Sequence, residues 1–481
     1  MKMNNLIVMH MMTIKTNHEM SARKGLIGES PAKPVLWLAL WWLGLMVLAF
    51  PLAAQEPIRA LTVQQAVEYA RQHSRTIHSS QMDERIAKEK TREVLSSGLP
   101  QVNINGRYTD NLEIPTQLIP AVIAGGPEGQ FIPVQFGTKY STTAGIEATQ
   151  LLFSQSYMMG LKASKLSQDF YQLNTRKTEE GVAFNVSVTY YQAQISQKQL
   201  DILQRNLVST NRLVQISQLQ YENGVLKQTD FNRIKVNRTN LETELQNLET
   251  AYAQQLNLLK FYMGMPLATE VCLDTTIDEN LNNTLLINRD LNLFQNRTEY
   301  QLLNKQQELY KIERKNINGG YVPTLSAFAN YNYQAFRQNF NFFESSQPWF
   351  RSSAIGLSLN IPVFDGLEKR ARSQQSRINL EKTANEAELL RESITMEITN
   401  ANNKLDNSRR QLAAQKENRQ LAEQVYAQSQ LEFKEGTASL SDLLNAETGM
   451  KQAQNNYINA LINLQIANLE LQKANGTLLG Q

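Results

Sequence analysis

Hydrophobic positions along this chain recur with two different periods. Between Ser154 and Asn223 they step by seven: Val186, Ala193, Leu200, Leu207, Val214 and Tyr221. A second run steps likewise through Ile398, Leu405 and Leu412, then Arg419, Tyr426 and Phe433. Near the C-terminus Leu443, Met450, Tyr457, Leu464 and Leu471 form one seam, and Ala446, Ala453, Ala460 and Ala467 form another. Heptad spacing predicts long helices packed as coiled coils, and the alanine seam lets a neighbouring helix come close. The first run holds no proline, and its only glycines are Gly160 and Gly181. At about 1.5 Å per residue it makes a rod of roughly 100 Å.

Elsewhere the period is two. Val102, Ile104, Gly106 and Tyr108 share one face of 101–108, opposite Gln101, Asn103, Asn105 and Arg107. Residues 142–153 read as its returning strand. In the second half Ile355, Leu357, Leu359, Ile361 and Val363 alternate with Ala354, Gly356, Ser358, Asn360 and Pro362. The partner strand, 324–335, sets Ala327, Ala329, Tyr331 and Tyr333 against Ser326, Asn330, Asn332 and Gln334. Each is a strand with one apolar and one small or polar face. Phe340, Phe342, Phe343, Trp349 and Phe350 beside this band fit a membrane-interface girdle; a soluble strand pair with an apolar loop is the other reading. Prolines 115, 120, 127 and 133 with Gly125 and Gly126 predict a long loop over 109–140.

The pattern occurs twice. Residues 217–230 read SQLQYENGVLKQTD and residues 429–442 read SQLEFKEGTASLSD. Gly145 through Phe153 parallels Gly356 through Phe364, and Pro100 with Tyr108 parallels Pro323 with Tyr331. A repeat of this length is a duplicated half-molecule. The first structural repeat is expected over 55–266: a helix 61–97 capped by Thr62, a strand pair within 101–153, a long helix, a tip near 224 and a helix 229–263. The second, over 294–481, follows the same order, with helix 294–318, strand pair 323–364, long helix 366–434, a tip near 436 and helix 440–475. Residues 267–293 form a linker. In each half one long helix matches two shorter ones laid end to end, which builds a wall two helices thick.

Composition narrows the function. The run Val35 to Phe50, preceded by Arg23, Lys24 and Lys33 and followed by Pro51-Leu-Ala-Ala54, reads as a signal peptide over 1–54. An N-terminal membrane anchor is the alternative, but the run is shorter than the ~20 residues a spanning helix needs. Five basic and two acidic residues lie in 1–54, leaving 43 of each in 55–481. That balance offers no nucleic-acid surface. Cys272 is the only cysteine, so no disulfide is available within the chain. Beyond the leader no long apolar run follows, so membrane-spanning structure has to be built from strands closed into a barrel. His73 and His78 are spaced i,i+5 and do not face one another on a helix. No HExxH, paired CxxC, P-loop or GxSxG occurs, so an enzyme is not expected, nor is a cofactor or a metal site.

Four strands per chain cannot close a barrel, since small barrels begin at about eight. Three chains would supply 12. The expected fold is therefore mainly α with membrane β-strands: a long antiparallel coiled-coil helical barrel joined to a trimeric 12-stranded β-barrel, with a two-fold internal repeat. The chain resembles the TolC-type outer-membrane efflux protein family over nearly all of 55–481. The resemblance rests on the duplication, on Leu99-Pro100-Gln101, on the strand exits Gln150–Phe153 and Ile361–Phe364, and on the tips Tyr221–Val225 and Phe433–Thr437. It implies an outer-membrane homotrimer in a Gram-negative bacterium, embedded in outer-membrane lipid and extended into the periplasm. It further implies docking to a periplasmic adaptor and, through it, to an inner-membrane RND or ABC transporter. The tips at Gly224, Val225, Gly436 and Thr437 are then docking candidates. Asp230 and Asp442, with Tyr221 and Phe433, are gating candidates. The physical role of the two aspartates at helix starts is equally N-terminal helix stabilisation. Some members of the family lock the tip with an Arg two residues after the second glycine and an Asp nine after it. Here these positions are Ala438 and Asn445, and Phe433 stands where a hydrogen-bonding Tyr occurs, so closure held mainly by packing is expected. The rival from another class is a periplasmic coiled-coil scaffold or adaptor without membrane strands.

Overall fold

The computed structural model describes residues 60–274, 276 and 293–479, which belong to one unit, Arg59–Gln481. The expected leader and most of the expected 267–293 linker lie outside the described residues. Among the described residues seven α-helices and six strands follow in order: α1 Val63–His73, α2 Arg75–Ser96, β1 Gln101–Asp110, β2 Thr116–Pro120, β3 Phe131–Gln135, β4 Tyr140–Phe153, α3 Gln155–Glu222, α4 Gln228–Met263, α5 Thr298–Gly319, β5 Thr324–Arg337, β6 Phe350–Asn360, α6 Glu368–Lys434 and α7 Leu440–Ala474.

Thr62 opens α1 through a reciprocal cap with Gln65. The helix expected over 61–97 is broken at Ser74, whose ψ of 124° is extended. Neither glycine nor proline marks the break. Its cause is tertiary: Gly264, which ends α4 at φ +73°, lies against the His73 carbonyl so closely that a Cβ would collide with it.

Helix α3 spans 68 residues, about 100 Å at the α-helical rise. Against it pack α2 at one end and α4 towards the other, with α5 and α7 also touching it. The heptad seam is what it buries. Val186 and Ala193 are sealed, and Leu200 and Val214 are nearly so. Val186 and Ala193 meet Ala66, Ala70, Leu259 and Met263 in a core between α1, α3 and α4. A second core joins Leu405 and Leu412 of α6 to Tyr457, Leu461 and Leu464 of α7. Burial of each such Leu or Ile side chain contributes about 1.5–3 kcal/mol. Arg419, which interrupts the α6 seam, is accommodated with its guanidinium 4.2 Å from the Tyr457 ring centroid and 3.8 Å from Glu423.

One four-stranded antiparallel sheet has the order β1-β4-β5-β6. Its central pair, β4 with β5, joins the two halves of the chain. The register aligns Val102, Ala148, Ala329 and Ile355 in one row, and Ile104, Ile146, Tyr331 and Ser353 in the next on the same face. The opposite face carries Asn103, Glu147, Asn330 and Ala354, then Asn105, Gly145, Asn332 and Ser352. Period two thus produces one apolar and one polar surface. The sheet is open at β1 and β6, so one chain closes no barrel among the described residues.

Two expectations change. Residues 109–140 are not a bare loop, because β2 and β3 pair within them as a separate hairpin. The strand expected to reach Val363 ends at Asn360, just before Pro362, which has no N–H to give a ladder. Ile361 and Val363 instead lead to α6. There Asp365 accepts from the Leu367 and Lys369 backbone amides at 3.1 and 3.2 Å, and Leu367 turns the chain at φ +71°.

Candidate functional site

The paired helix ends far from the sheet carry the residues singled out above. Helix α3 stops at Asn223 and α6 at Glu435, and both stop in one way. Gly224 at φ +73° donates to the Tyr221 carbonyl, and the Val225 N–H reaches back to Gln220 at 2.8 Å. Gly436 at φ +76° donates to Phe433, and the Thr437 N–H reaches Glu432 at 2.9 Å. Each is a Schellman motif, whose C′ position needs the left-handed conformation that glycine adopts without a Cβ penalty. Thr437 adds its hydroxyl to the Glu432 carbonyl at 3.0 Å.

The restarts differ. Ser439 caps α7: its hydroxyl accepts from the Asp442 N–H at 3.2 Å, and the Asp442 carboxylate accepts from the Ser439 N–H at 3.2 Å and hydroxyl at 2.6 Å. Asp442 is therefore committed to a capping box. Helix α4 has Lys227 at its N-cap and no side-chain cap. Asp230 sits at the equivalent third position, 3.8 Å from Arg233. The residues directly before the two aspartates, Thr229 and Ser441, are not the caps.

The aromatic counterparts differ as well. Phe433 is buried with Tyr426, Leu440, Leu443 and Met450 of its own half and Leu213, Val214 and Ile234 of the other. The two tips thus share one apolar core. Tyr221 stays on the surface and stacks on Phe231, centroids 5.6 Å apart. Val225 is 76 % exposed at the end of the first tip, where the second tip presents Thr437.

One polar group inside this bundle was not singled out from the sequence. Glu447 of α7 is 2 % exposed. Its carboxylate accepts from Asn237 of α4 at 2.9 Å and from Thr210 of α3 at 3.4 Å, and Lys451 lies 2.6 Å away. One heptad further, Gln454 accepts from Asn206 at 3.1 Å and donates to Glu423 at 3.2 Å. Glu447, Gln454, Leu461 and Asn468 form a third, partly polar seam on α7, all buried. The signal was in the sequence as another step of seven, hidden because its members are not apolar.

Farther from the tips, Arg297 fixes the start of the second half. It is buried and bonds Glu299 at 3.2 Å, Glu397 of α6 at 3.0 Å and the Ala474 carbonyl ending α7 at 3.2 Å. Burial opposes its charge, but the two carboxylates outweigh burial and hold its pKa above the ordinary value. Tyr190 donates to the Leu61 carbonyl at 2.7 Å, and burial pushes its hydroxyl up to about 12. Among the described residues no helix is long and apolar enough to cross a membrane.

A sequence-family model described as outer membrane efflux protein matches residues 66–265 and 296–477. The outer membrane protein TolC of Salmonella enteritidis is 22% identical over 464 residues, covering 91% of this chain and 85% of that protein. Among solved structures, the outer membrane protein VceC of Vibrio cholerae superposes with a TM-score of 0.66 at 16% identity, covering 86% of this chain and 96% of that one. The open state of the MtrE outer membrane channel of Neisseria gonorrhoeae gives a TM-score of 0.67 at 15% identity, covering 87% and 89%.

Proposed function

The chain belongs to the outer membrane efflux protein family, and from that premise we propose that it is the outer-membrane channel of a tripartite efflux or secretion system. Its place is the outer membrane of a Gram-negative bacterium, and the family's members are transporters rather than enzymes. In this reading two similar halves of one chain contribute four strands, and three chains close a 12-stranded barrel through β1 of one copy and β6 of the next. The helices continue the conduit into the periplasm. The tips at Gly224, Val225, Gly436 and Thr437 meet a periplasmic adaptor, which links them to an inner-membrane RND or ABC pump.

The observation that carries this reading is the register of the sheet. Its apolar face leaves Ile104, Ile355 and Leu357 exposed at 80 %, 86 % and 68 %, on strands whose other face is Asn-rich and whose outer edges are unpaired. Such a sheet is suited to lipid on one side and water on the other once it is closed. A periplasmic scaffold would hold that apolar face in water. The test is the native mass of the protein extracted from envelopes with and without detergent. A detergent-dependent trimer is expected; a soluble monomer or dimer would put the scaffold in its place.

At the tips, closure rests on packing around Phe433, Leu443 and Ile234, with Asp442 engaged in its own cap. Asp230→Ala and Asp442→Ala are therefore expected to leave single-channel conductance in planar bilayers close to that of the parent. A large rise in either variant would mean that a polar lock holds the tip.

A further inference from the structure

Contacts within the first half of the chain recur within the second, position by position. Gly264 follows α4 at φ +73° and lies against the His73 carbonyl; Gly476 follows α7 at φ +70° and lies against the Asn296 carbonyl. The helices that start beside these glycines, α2 and α5, each run for 22 residues. Ser164 of α3 meets α2, its carbonyl accepting from Thr91, and Ser376 of α6 donates to the Tyr310 carbonyl of α5 at 3.2 Å. Tyr108 stands opposite Thr142 in the β1–β4 pair as Tyr331 stands opposite Ser353 in the β5–β6 pair.

The second half covers one side of the first. Strand β4 pairs with β5, Ile146 opposite Tyr331. Helix α3 touches α5 and α7: Asp169 lies 3.3 Å from Lys305, Glu180 accepts from Thr298 at 2.7 Å, and Phe184 carries the Lys473 ammonium 4.6 Å from its ring centroid. Leu166 and Leu309, each one turn from the Asp169–Lys305 pair, are half-buried there. The equivalent side of the second half, on β6 and α6, has no such cover within the chain among the described residues. Leu213 of α3 is 4 % exposed, whereas Val425, at the same place on α6, is 57 % exposed.

The spacings that relate the halves identify the missing cover. They carry Ile146 and Tyr331 to Leu357 and Tyr108, Leu166 and Leu309 to Ile378 and Ile86, and Phe184 and Lys473 to Met396 and Phe261. All six of these residues are large, apolar or aromatic, and exposed in the single chain. The same spacings carry Glu180 and Thr298 to Glu392 and Arg75, two exposed residues of opposite charge. Each pair joins the second half of the chain to the first half, so the surface that fits β6 and α6 is the β1, α2 and α4 side of another copy. We propose that copies join head to tail through an interface that repeats the internal one, with Leu357 of one copy opposite Tyr108 of the next, Ile378 against Ile86, Met396 against Phe261, and Glu392 paired with Arg75. This rests on the shared barrel proposed above and supplies its register. A head-to-tail contact of this kind ends only when the ring closes.

The test uses the full chain in cell envelopes, with the exposed Cys272 replaced by serine. Ile86→Cys with Ile378→Cys, treated with a short bis-maleimide, is expected to give covalent dimers and trimers on denaturing gels. Ile86→Cys with Leu389→Cys moves one thiol roughly 16 Å along α6 and is expected to give neither. Arg75→Glu and Glu392→Arg should each lower the temperature at which the extracted trimer dissociates by several degrees, and the two together should restore it. A trimer whose matched thiols cross-link no better than the displaced ones, or whose double charge exchange stays as weak as the single ones, overturns this interface and leaves the shared barrel standing. Failure of the unmodified protein to give a detergent-dependent trimer overturns the shared barrel itself.

Discussion

Asn237 of α4 donates to the buried carboxylate of Glu447 on α7 at 2.9 Å, so the helices that restart after the two tips are tied by a hydrogen bond in the interior of the bundle. Lys451, only part-exposed, supplies the opposite charge. Removing one member of a buried pair leaves the other charge uncompensated, which destabilises by about 3–5 kcal/mol. Lys451→Ala should therefore lower stability by about 3 kcal/mol. Glu447→Leu with Lys451→Leu should recover most of the loss. Denaturant unfolding of the single and double variants checks both; equal losses in the two would show that the pair itself is not what matters.

The two helix restarts invite a reciprocal exchange. Ser439→Ala removes a complete capping box and should destabilise the start of α7 by about 1 kcal/mol. Lys227→Ser introduces a hydroxyl three residues before Asp230 and should stabilise the start of α4 by a similar amount. Amide exchange rates in the first turns of α4 and α7 read each change locally, and opposite signs are expected.

Gly224 and Gly436 sit in the left-handed region, where a Cβ costs about 1–2 kcal/mol. No atom stands where either Cβ would go, so alanine there meets conformational strain rather than a clash. Gly224→Ala and Gly436→Ala should speed hydrogen exchange around the tips while the global melting temperature barely moves. A collapse of global stability would reveal packing that these open positions do not have.

Alkaline pH should act through Tyr190. Its folded-state pKa of about 12 lies above the ordinary 10.0, so its contribution is full below pH 10 and is lost as pH rises from 10 through 12. Tyr190→Phe should flatten that part of the stability profile and weaken folding at neutral pH by removing one of the two donors to the Leu61 carbonyl, which keeps the Asp274 N–H at 3.1 Å. Identical profiles for the two proteins would place the alkaline sensitivity elsewhere.

Much of the architecture was legible because it is periodic. The run expected over 154–223 forms Gln155–Glu222, and that expected over 440–475 forms Leu440–Ala474; heptads mark their interiors, and glycine ends the long helices. What escaped was set by distant partners. Ser74 carries no breaker signal, and its helix is interrupted because Gly264 crosses it. The β2–β3 pairing was hidden among prolines that favour loops. Phe433 and Tyr221 occupy equivalent sequence positions, yet one is buried and the other exposed, because the neighbours that cover Phe433 come from both halves. The α7 seam through Glu447 was overlooked because apolar periodicity was the quantity being followed.

The unpaired strands at the two ends of the sheet have a consequence for biogenesis. β1 and β6 differ in sequence, so any edge-to-edge addition of copies runs head to tail, and only ring closure ends it. Until then every newly folded chain offers two sticky templates to whatever extended segment it meets. If copies close into the ring proposed above, the yield of usable protein should depend on the concentration of unassembled chains, and overproduction should favour aggregates with a cross-β signature over rings.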